Sequence, residues 1–207
     1  MQRQVRTTPR KRPRQERSRA TVDALLEATA RVLVKRGFDG LTTNLVAEAA
    51  GVSIGSLYQY FPNKAALVGA LIENHVDNMT SLFVSELARV AQLPMAQAIR
   101  CVIELMIRAH GVDPELHRVL TDQVPRFGRM AKLREVDAMF DHMVAGLLAA
   151  RKAELAIDHP EVAAFVLVSA IEAITHRAAL SPSLLGDPRL VDETCALVRR
   201  YLGVADG

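Results

Sequence analysis

The sequence has no tryptophan, few aromatic residues and no segment with the pattern of a β-strand. Aromatic residues make up 4% of the 207 residues, whereas alanine, leucine and valine are abundant. Alanine and leucine have high intrinsic helix propensity. A half-buried strand would instead alternate apolar and polar residues with a period of two. The composition therefore predicts an all-α protein.

Clusters of cysteine or histidine at metal-ligand spacing are also missing. The two cysteines, Cys101 and Cys195, lie far apart, and no Cys-x-x-Cys pair occurs. Such cysteines indicate neither a disulfide framework nor a zinc site, so we expect two buried, reduced thiols. No two histidines are three or four residues apart, and no His-Glu-x-x-His motif occurs. We predict no metal ligands and no cofactor.

Long apolar runs are absent as well. No run reaches the roughly 18–20 residues needed to cross a bilayer, and the N-terminus lacks the apolar core of a secretory signal. These two features predict a cytoplasmic protein that does not associate with a membrane.

Positive charge is concentrated at the N-terminus. Residues 1–20 carry eight basic residues and one acidic residue, a net charge of +7, and the rest of the chain carries −4. A cationic arm on a slightly acidic body favours contact with a polyanion. A solvated tail without a partner remains the alternative. Residues 1–15, which include Pro9 and Pro13, are predicted to be a disordered basic arm.

Residues 43–60 have the pattern of a helix-turn-helix. A helix is predicted over 18–36, ended by Gly37, and two short helices follow over 43–50 and 54–60. Thr42 and Ser53 are placed to cap the two short helices. In a helix-turn-helix the second helix enters the major groove of DNA. Its small and polar residues would approach the bases and phosphates: Ser53, Gly55, Ser56, Tyr58, Gln59 and Tyr60.

The remaining chain is predicted to be helical throughout. Asn63 can cap a long helix that starts at Lys64 and runs to about Ala91. Prolines and caps then delimit further helices over 95–110, from Pro114 to Pro125, and over 127–152, 160–180 and 188–202, with a loop at 181–186.

The run Gly-Val-Ser-Ile-Gly-Ser-Leu-Tyr-Gln-Tyr-Phe-Pro-Asn-Lys, at residues 51–64, resembles the TetR-type DNA-binding domain. The resemblance covers residues 16–76. It implies a dimeric regulator, usually a repressor, whose C-terminal helices (77–207) bind a small molecule that releases DNA. It also implies DNA contacts, mostly to phosphates, by Thr42, Ser53, Ser56, Tyr58, Tyr60 and Lys64.

The match departs from the family pattern at three positions. The family often has a basic residue where this chain has Ile54, arginine where it has Asn44, and an acid where it has Leu45. Loss of the acid removes a capping box with Thr42. We hypothesise that the basic residues of segment 3–19 replace the two missing cations on DNA, either in the minor groove or along the phosphates. Ile54, Asn44 and the adjacent Thr43 complete the predicted DNA-facing set.

A hydrolase motif overlaps this segment. Residues 51–55 fit the Gly-x-Ser-x-Gly nucleophile elbow, which requires a strand before the serine. A helix is predicted there instead, so we predict no catalytic residue and no enzyme.

The last two predicted helices are candidates for a dimer interface. The helix over 160–180 is apolar almost all round. Small residues would allow close helix contact at Ala163, Ala164, Ala170 and Ala173, next to Ile174. Two helices from each subunit would form a four-helix bundle. Packing within one subunit remains the alternative.

Polar residues on apolar stripes of the C-terminal helices mark a candidate effector pocket. Burial of a charge is costly unless it is paired, so such residues indicate a pocket, a polar dimer contact or an exposed face. Methionine and phenylalanine would give adaptable apolar walls, although ordinary core packing is the simpler interpretation for each of these residues taken singly. The candidate pocket residues are Met106, His110, Phe127, Asp137, Phe140, Met143, Glu172 and His176, with Met130 nearby in sequence.

Together these features predict a sequence-specific DNA-binding transcriptional regulator. We expect a homodimeric repressor that a small-molecule effector releases from a palindromic operator in double-stranded DNA. The alternative from another class is a ligand-sequestering helical protein, or a small enzyme, with a relic DNA module.

Overall fold

A computed structural model describes residues 16–111, 113–123 and 130–205. The predicted arm, residues 1–15, and Phe127 lie outside these ranges. Within the described residues every regular element is helical, and the predicted all-α fold is confirmed. The helices are α1 (Glu16–Gly40), α2 (Thr43–Ala50), α3 (Ile54–Tyr60), α4 (Lys64–Val90), α5 (Met95–Gly111), α6 (Pro114–Gln123), α7 (Met130–Ala150), α8 (Pro160–Ala179), α9 (Pro182–Leu185) and α10 (Pro188–Leu202).

The described residues form two compact units. The first unit contains the residues up to Asp77 and those of the segment Glu115–Ala131, and the second contains Asn78–Pro114 and the residues from Lys132 onward. The boundary falls inside α4, so the first half of this long helix belongs with α1, α2, α3 and α6.

The first unit is built around α1. This helix packs against α2, and α2 packs against α3. Leu25 and Leu33 of α1 are fully buried. The helix predicted to end at Gly37 extends to Gly40, but the backbone breaks from helical angles at Gly37, where φ is +65°. The other large, fully buried side chains of this unit are Leu41, Val46, Leu57, Phe61, Leu67 and Val68.

The predicted caps of the two short helices are present. The side chain of Thr42 accepts a hydrogen bond from the backbone N–H of Leu45 at 3.3 Å, and Ser53 accepts one from Ser56 at 3.1 Å. Gly51 ends α2 with φ of +66°, in the left-handed region that only glycine adopts without cost. Caps satisfy N–H groups that a helix end leaves unpaired, and they therefore set the boundaries of α2 and α3.

The second unit has its core between α5, α8 and α10. α5 packs against both α8 and α10. Ile103, Ala164, Cys195 and Leu202 are buried at this junction. Cys101 is only partly buried, so the expectation of two buried thiols is wrong for this residue: Cys101 lies on the side of α5 where Arg89 approaches it, with the guanidinium Nη2 donating to Sγ at 2.9 Å.

Two connections differ from the sequence prediction. The loop expected at 181–186 contains the short helix α9, whose first turn closes when Leu184 and Leu185 donate to the Ser181 carbonyl. The helix α7 ends at Ala150 rather than at residue 152. Arg151, which follows it, donates to the carbonyls of Leu93 and Ala91 beyond the end of α4.

Helix α8 presents an apolar face to solvent. It is the one helix of the described residues that is long and apolar enough to cross a membrane, and about a third of it is buried within the protomer. A core helix of a soluble protein can have the same length and the same apolar composition. Its exposed residues Val162, Phe165 and Val166 lie on the helix predicted to mediate dimerisation.

Gly203 occupies a position that should not tolerate a side chain. It caps α10 with φ of +70°, and a Cβ placed there would lie 2.5 Å from the Cβ of Ala156. Gly203→Ala combines a left-handed backbone with a steric clash, so we expect the free energy of unfolding to fall by about 2–4 kcal/mol. Denaturant titration followed by circular dichroism measures the change.

Gly146 is the matched control. It lies inside α7, and a Cβ added to it would meet no other atom within 4 Å. Gly146→Ala should raise the free energy of unfolding by about 0.5–1 kcal/mol, since alanine favours a helix interior. Equal effects of the two substitutions would contradict this explanation.

Candidate DNA-binding surface and effector site

The helix α3 has one buried face and one exposed face. Leu57 is fully buried beneath the helix, whereas Ile54 and Tyr58 have relative exposures of 38% and 41%. Gly55 and Gln59 are also exposed. Leu57, near the middle of this seven-residue helix, is its one buried side chain. The opposite side of α3 is exposed and could therefore contact a DNA duplex.

Hydroxyl groups order this exposed face. The Ser53 and Ser56 hydroxyls lie 2.8 Å apart at the start of α3. The Thr43 hydroxyl of α2 lies 3.1 Å from the Tyr58 hydroxyl of α3. The second contact joins the two short helices on their solvent side. Two pairs of side chains in the predicted DNA-facing set are therefore joined by hydrogen bonds.

All eleven residues of the predicted DNA-facing set lie in the first unit, at the start of α2, along α3 and at the start of α4. None is buried. The exposed members are Thr42, Asn44, Ser53, Ile54, Gly55, Tyr58 and Gln59, and the half-buried members are Thr43, Ser56, Tyr60 and Lys64. All of them belong to one stretch of the chain, residues 42–64.

Lys64 has a structural role that its sequence position did not indicate. Its Nζ donates to the Phe38 carbonyl at 3.0 Å and lies 4.4 Å from the centre of the Phe38 ring. The neighbouring Asn63 caps α4 by accepting from the N–H of Ala66 at 2.9 Å. Lys64 therefore ties the start of α4 to the end of α1, and the ammonium that the sequence assigned to a phosphate is engaged with the protein.

Two histidines link α4 to α6 within the first unit. Nε2 of His75 lies 3.0 Å from Nδ1 of His117, and the ring centres are 5.3 Å apart. One ring nitrogen of the pair must carry a proton and the other must accept it. The two residues are far apart in the sequence, so spacing could not indicate this contact.

The candidate effector residues of the second unit centre on His110. Its side chain is buried, with a relative exposure of 2%, and its Nδ1 lies 2.8 Å from the Met106 carbonyl. The His176 ring packs against it edge to face, with the ring centres 4.9 Å apart. Burial lowers the pKa of His110 to about 4, with a smaller contribution from His176. His110 is therefore neutral at physiological pH.

Glu172 of α8 lies beside His176 and is close in turn to two carboxylates of α7. Nε2 of His176 lies 3.8 Å from Oε1 of Glu172. Burial raises the pKa of Glu172, and the charges of Asp137 and Asp141 raise it further. Burial and Asp141 likewise raise the pKa of Asp137. Asp141, one helical turn after Asp137, was missed in the sequence, although that spacing places the two residues on the same face of a helix.

The apolar candidates are placed less closely together. Phe140 packs edge to face against Phe83 of α4, with ring centres 5.1 Å apart, and Phe83 was not among the predicted residues. Met106 and Met143 are half-buried. The structure thus groups His110, Asp137, Glu172 and His176 by contact or charge. It does not show Met143 in contact with them, and Phe127 and the side chain of Met130 lie outside the described residues.

Comparison with known proteins gives two family matches. Residues 25–71 match the family described as bacterial regulatory proteins, tetR family. Residues 94–202 match the family described as Tetracyclin repressor-like, C-terminal domain. The second match alone spans more than half of the chain.

Individual proteins with sequences or folds similar to this chain are also regulators or DNA-associated factors by their names. The chain is 30% identical over 107 residues to nucleoid occlusion factor SlmA of Haemophilus ducreyi, covering 52% of each protein. It is 41% identical over 69 residues to the transcriptional activator FasR of Mycolicibacterium smegmatis, covering 33% of this chain and 30% of FasR. The matches therefore span about half or less of these relatives. SmeT, the repressor of the Stenotrophomonas maltophilia multidrug efflux pump SmeDEF, has a similar fold, with a TM-score of 0.65, 21% identity and coverage of 93% of this chain and 94% of SmeT.

The contacts of Lys64 with Phe38 should stabilise the junction between α1 and α4. Lys64→Met removes a charge-assisted hydrogen bond and a cation–π contact, so local unfolding of α1–α3 should become easier by about 1–3 kcal/mol. Hydrogen exchange of the amides in these helices measures the change. Lys35→Met, at an exposed position of α1, should change the same protection by less than about 0.5 kcal/mol. Equal protection in the two variants would refute the role of Lys64.

Proposed function

The chain belongs to the TetR family of DNA-binding transcriptional regulators, and we propose that it is a homodimeric repressor released from a palindromic operator by an effector. The observation that supports DNA reading most directly is the exposed polar face of α3, with Leu57 buried beneath it. The second helix of a helix-turn-helix enters the major groove with its N-terminal residues near the base edges. α3 offers Gly55, Ser56 and Gln59 there, next to the exposed side chains of Ile54 and Tyr58.

The chemistry of α3 suits both phosphates and bases. Ser53, Ser56 and Thr42 offer hydroxyl groups of the kind that contact phosphates. Gln59 can form a two-point hydrogen bond with adenine in the major groove. Gly55 lets the helix backbone come close to the duplex. This face carries few cations, so we propose that the basic arm, residues 1–15, supplies phosphate contacts that are sequence-independent and salt-sensitive.

The exposed apolar residues of α8 and α10 support a dimer. Phe165 of α8 is 60% exposed in the protomer, and Leu197 and Tyr201 of α10 are 50% and 41% exposed. Large exposed apolar patches on soluble proteins often mark interaction sites. We propose that α8 and α10 of two copies form a four-helix bundle. Such symmetry would present two copies of α3 to a palindromic site.

Repression is the simplest regulatory outcome. A dimer on its operator blocks access to the DNA by its volume alone and needs no surface for contact with the transcription machinery. The effector would bind the group formed by His110, Asp137, Glu172 and His176 in the second unit. Release then requires that the effector bind the DNA-free conformation more tightly than the DNA-bound one. We place this regulator in the cytoplasm, where bacterial DNA lies.

A ligand-sequestering protein or a small enzyme with a relic DNA module is the rival function. Either would keep the effector residues and fail to bind duplex DNA at physiological salt. The intact caps, the buried Leu57 and the joined hydroxyl groups of Thr43 and Tyr58 favour a working DNA module.

Selection from random duplex DNA tests the proposal. Purified full-length protein at about 150 mM salt should select a palindrome whose half-sites lie roughly 34–36 Å apart, one turn of DNA. Sequence-independent binding alone would contradict the proposal, as would no binding.

Ser53→Asp tests the orientation of α3 on the selected duplex. Aspartate caps a helix as well as serine does, so the variant should remain folded. Its negative charge near phosphates should weaken binding by at least about tenfold. Ser183→Asp, which adds the same charge at an exposed position of α9, should bind as the unmodified protein does. Tight binding by Ser53→Asp would show that this face does not meet DNA.

Phe165→Glu tests the dimer interface. A charge buried between two subunits without a partner is costly, so analytical ultracentrifugation should find the variant as a monomer and the unmodified protein as a dimer. Val84→Glu, at a position of α4 that is 51% exposed, should remain a dimer. A dimeric Phe165→Glu variant would place the interface elsewhere.

A further inference from the structure

We propose that His110, Glu172 and His176 bind a divalent transition-metal ion of the zinc type, and that this ion is the effector. The regulatory part of the inference rests on the proposed function, whereas the binding part does not. All three residues belong to the second unit, with His110 near the end of α5 and the other two on α8.

The spacing of the donor atoms supports a shared ion. One ring nitrogen of His110 and one of His176 lie within 4.8 Å of each other. Nε2 of His176 is 3.8 Å from Oε1 of Glu172. Glu172 and His176 stand one helical turn apart on the same face of α8, and α5 packs against that helix. His176 therefore has a potential ligand on each side, His110 from α5 and Glu172 from its own helix.

The orientation of His110 is the one that a metal ligand adopts. A carbonyl oxygen can only accept a hydrogen bond, so the 2.8 Å contact with Met106 requires that Nδ1 carry the proton and donate it. In the neutral ring the lone pair then lies on Nε2. Metal-binding histidines are commonly held in this way, by donation of the second ring nitrogen to a carbonyl or carboxylate. The buried ring is thus fixed in the tautomer that can ligate.

The type of donor selects the type of ion. Two imidazoles and one carboxylate are ligands typical of Zn²⁺ and its neighbours in the first transition row. Ca²⁺ and Mg²⁺ prefer oxygen ligands alone. Asp137 and Asp141 of α7 add negative charge next to Glu172. A divalent cation would relieve the repulsion among these three carboxylates, which an anionic or neutral effector would not do.

Binding would also change the structure. With Zn–N bonds of about 2.0–2.1 Å in a tetrahedral site, two ligating nitrogens are about 3.3 Å apart. Nitrogens of His110 and His176 lie within 4.8 Å of each other, so binding would draw the two rings closer by up to roughly 1.5 Å. The ion would therefore favour a conformation in which the two rings lie closer, and an effector must favour one conformation over another.

Metal titration of the tag-free, full-length protein tests the site. After chelator treatment, competition with a chromophoric chelator should show one Zn²⁺ bound per protomer, and Co²⁺ should produce the visible absorption of a tetrahedral complex. His176→Gln should weaken Zn²⁺ binding at least about a hundredfold, and Glu172→Gln at least about tenfold. Both positions are half-exposed, so the variants should fold, and circular dichroism checks that they do.

The control is a second histidine–glutamate pair on the same helix. His159 and Glu161, at the start of α8, are also 3.8 Å apart, but their side chains are 75% and 70% exposed. The double variant His159→Gln, Glu161→Gln should bind Zn²⁺ as the unmodified protein does. Loss of binding in this control, or unchanged binding in both His176→Gln and Glu172→Gln, would overturn the site.

Binding of the selected duplex separates this inference from the proposed function. Zn²⁺ should weaken operator binding at least about fivefold in the unmodified protein and not in His176→Gln. Zn²⁺ binding without any effect on DNA would overturn the role as effector and leave the site standing. Zn²⁺ binding by a protein that recognises no operator would refute the proposed function alone. Operator binding without Zn²⁺ binding would refute the inference alone.

Discussion

Burial of Leu57 is the constraint on which the DNA-binding surface depends. An isolated helix of seven residues does not persist in water, so α3 depends on the burial of Leu57 and on packing against α2. That anchor determines which face of α3 reaches solvent. The caps at Thr42 and Ser53 then fix where the two short helices begin. The same hydroxyl groups stand at the surface proposed to meet DNA, so stability and recognition share residues.

The sequence predicted the helical elements well because their boundaries are local. Caps, prolines and apolar periodicity lie within a few residues of each helix end, and the bounds of α2 and α3 followed from them. One error concerns a contact between helices that spacing does not encode: Cys101 is only partly buried and lies beside Arg89 of α4. The short helix α9 was missed although its hydrogen bonds are local, from the N–H groups of Leu184 and Leu185 to the Ser181 carbonyl.

The candidate sites were accessible to sequence reasoning to different degrees. The DNA-facing residues are contiguous in the chain, so a motif could indicate them together. The hydrogen bond from Lys64 to the Phe38 carbonyl joins two different helices, so no sequence motif could indicate it. Likewise, His110 and Glu172 were recognised as polar residues on apolar stripes, but their grouping around His176 depends on the packing of α5 on α8. Spacing along the chain therefore predicted no metal ligands, whereas the fold places His110 and Glu172 each beside His176.

The central claim is that two copies of α3 occupy successive major grooves of one operator. Protection of guanine N7 from methylation tests it directly, because N7 is exposed in the major groove. On the selected duplex, the full-length protein should protect two groups of guanines about one helical turn apart, roughly 34–36 Å, on the same face of the DNA. Protection that follows the minor groove, or that spreads evenly along the duplex, would show that the basic arm binds DNA without α3 and would contradict the account.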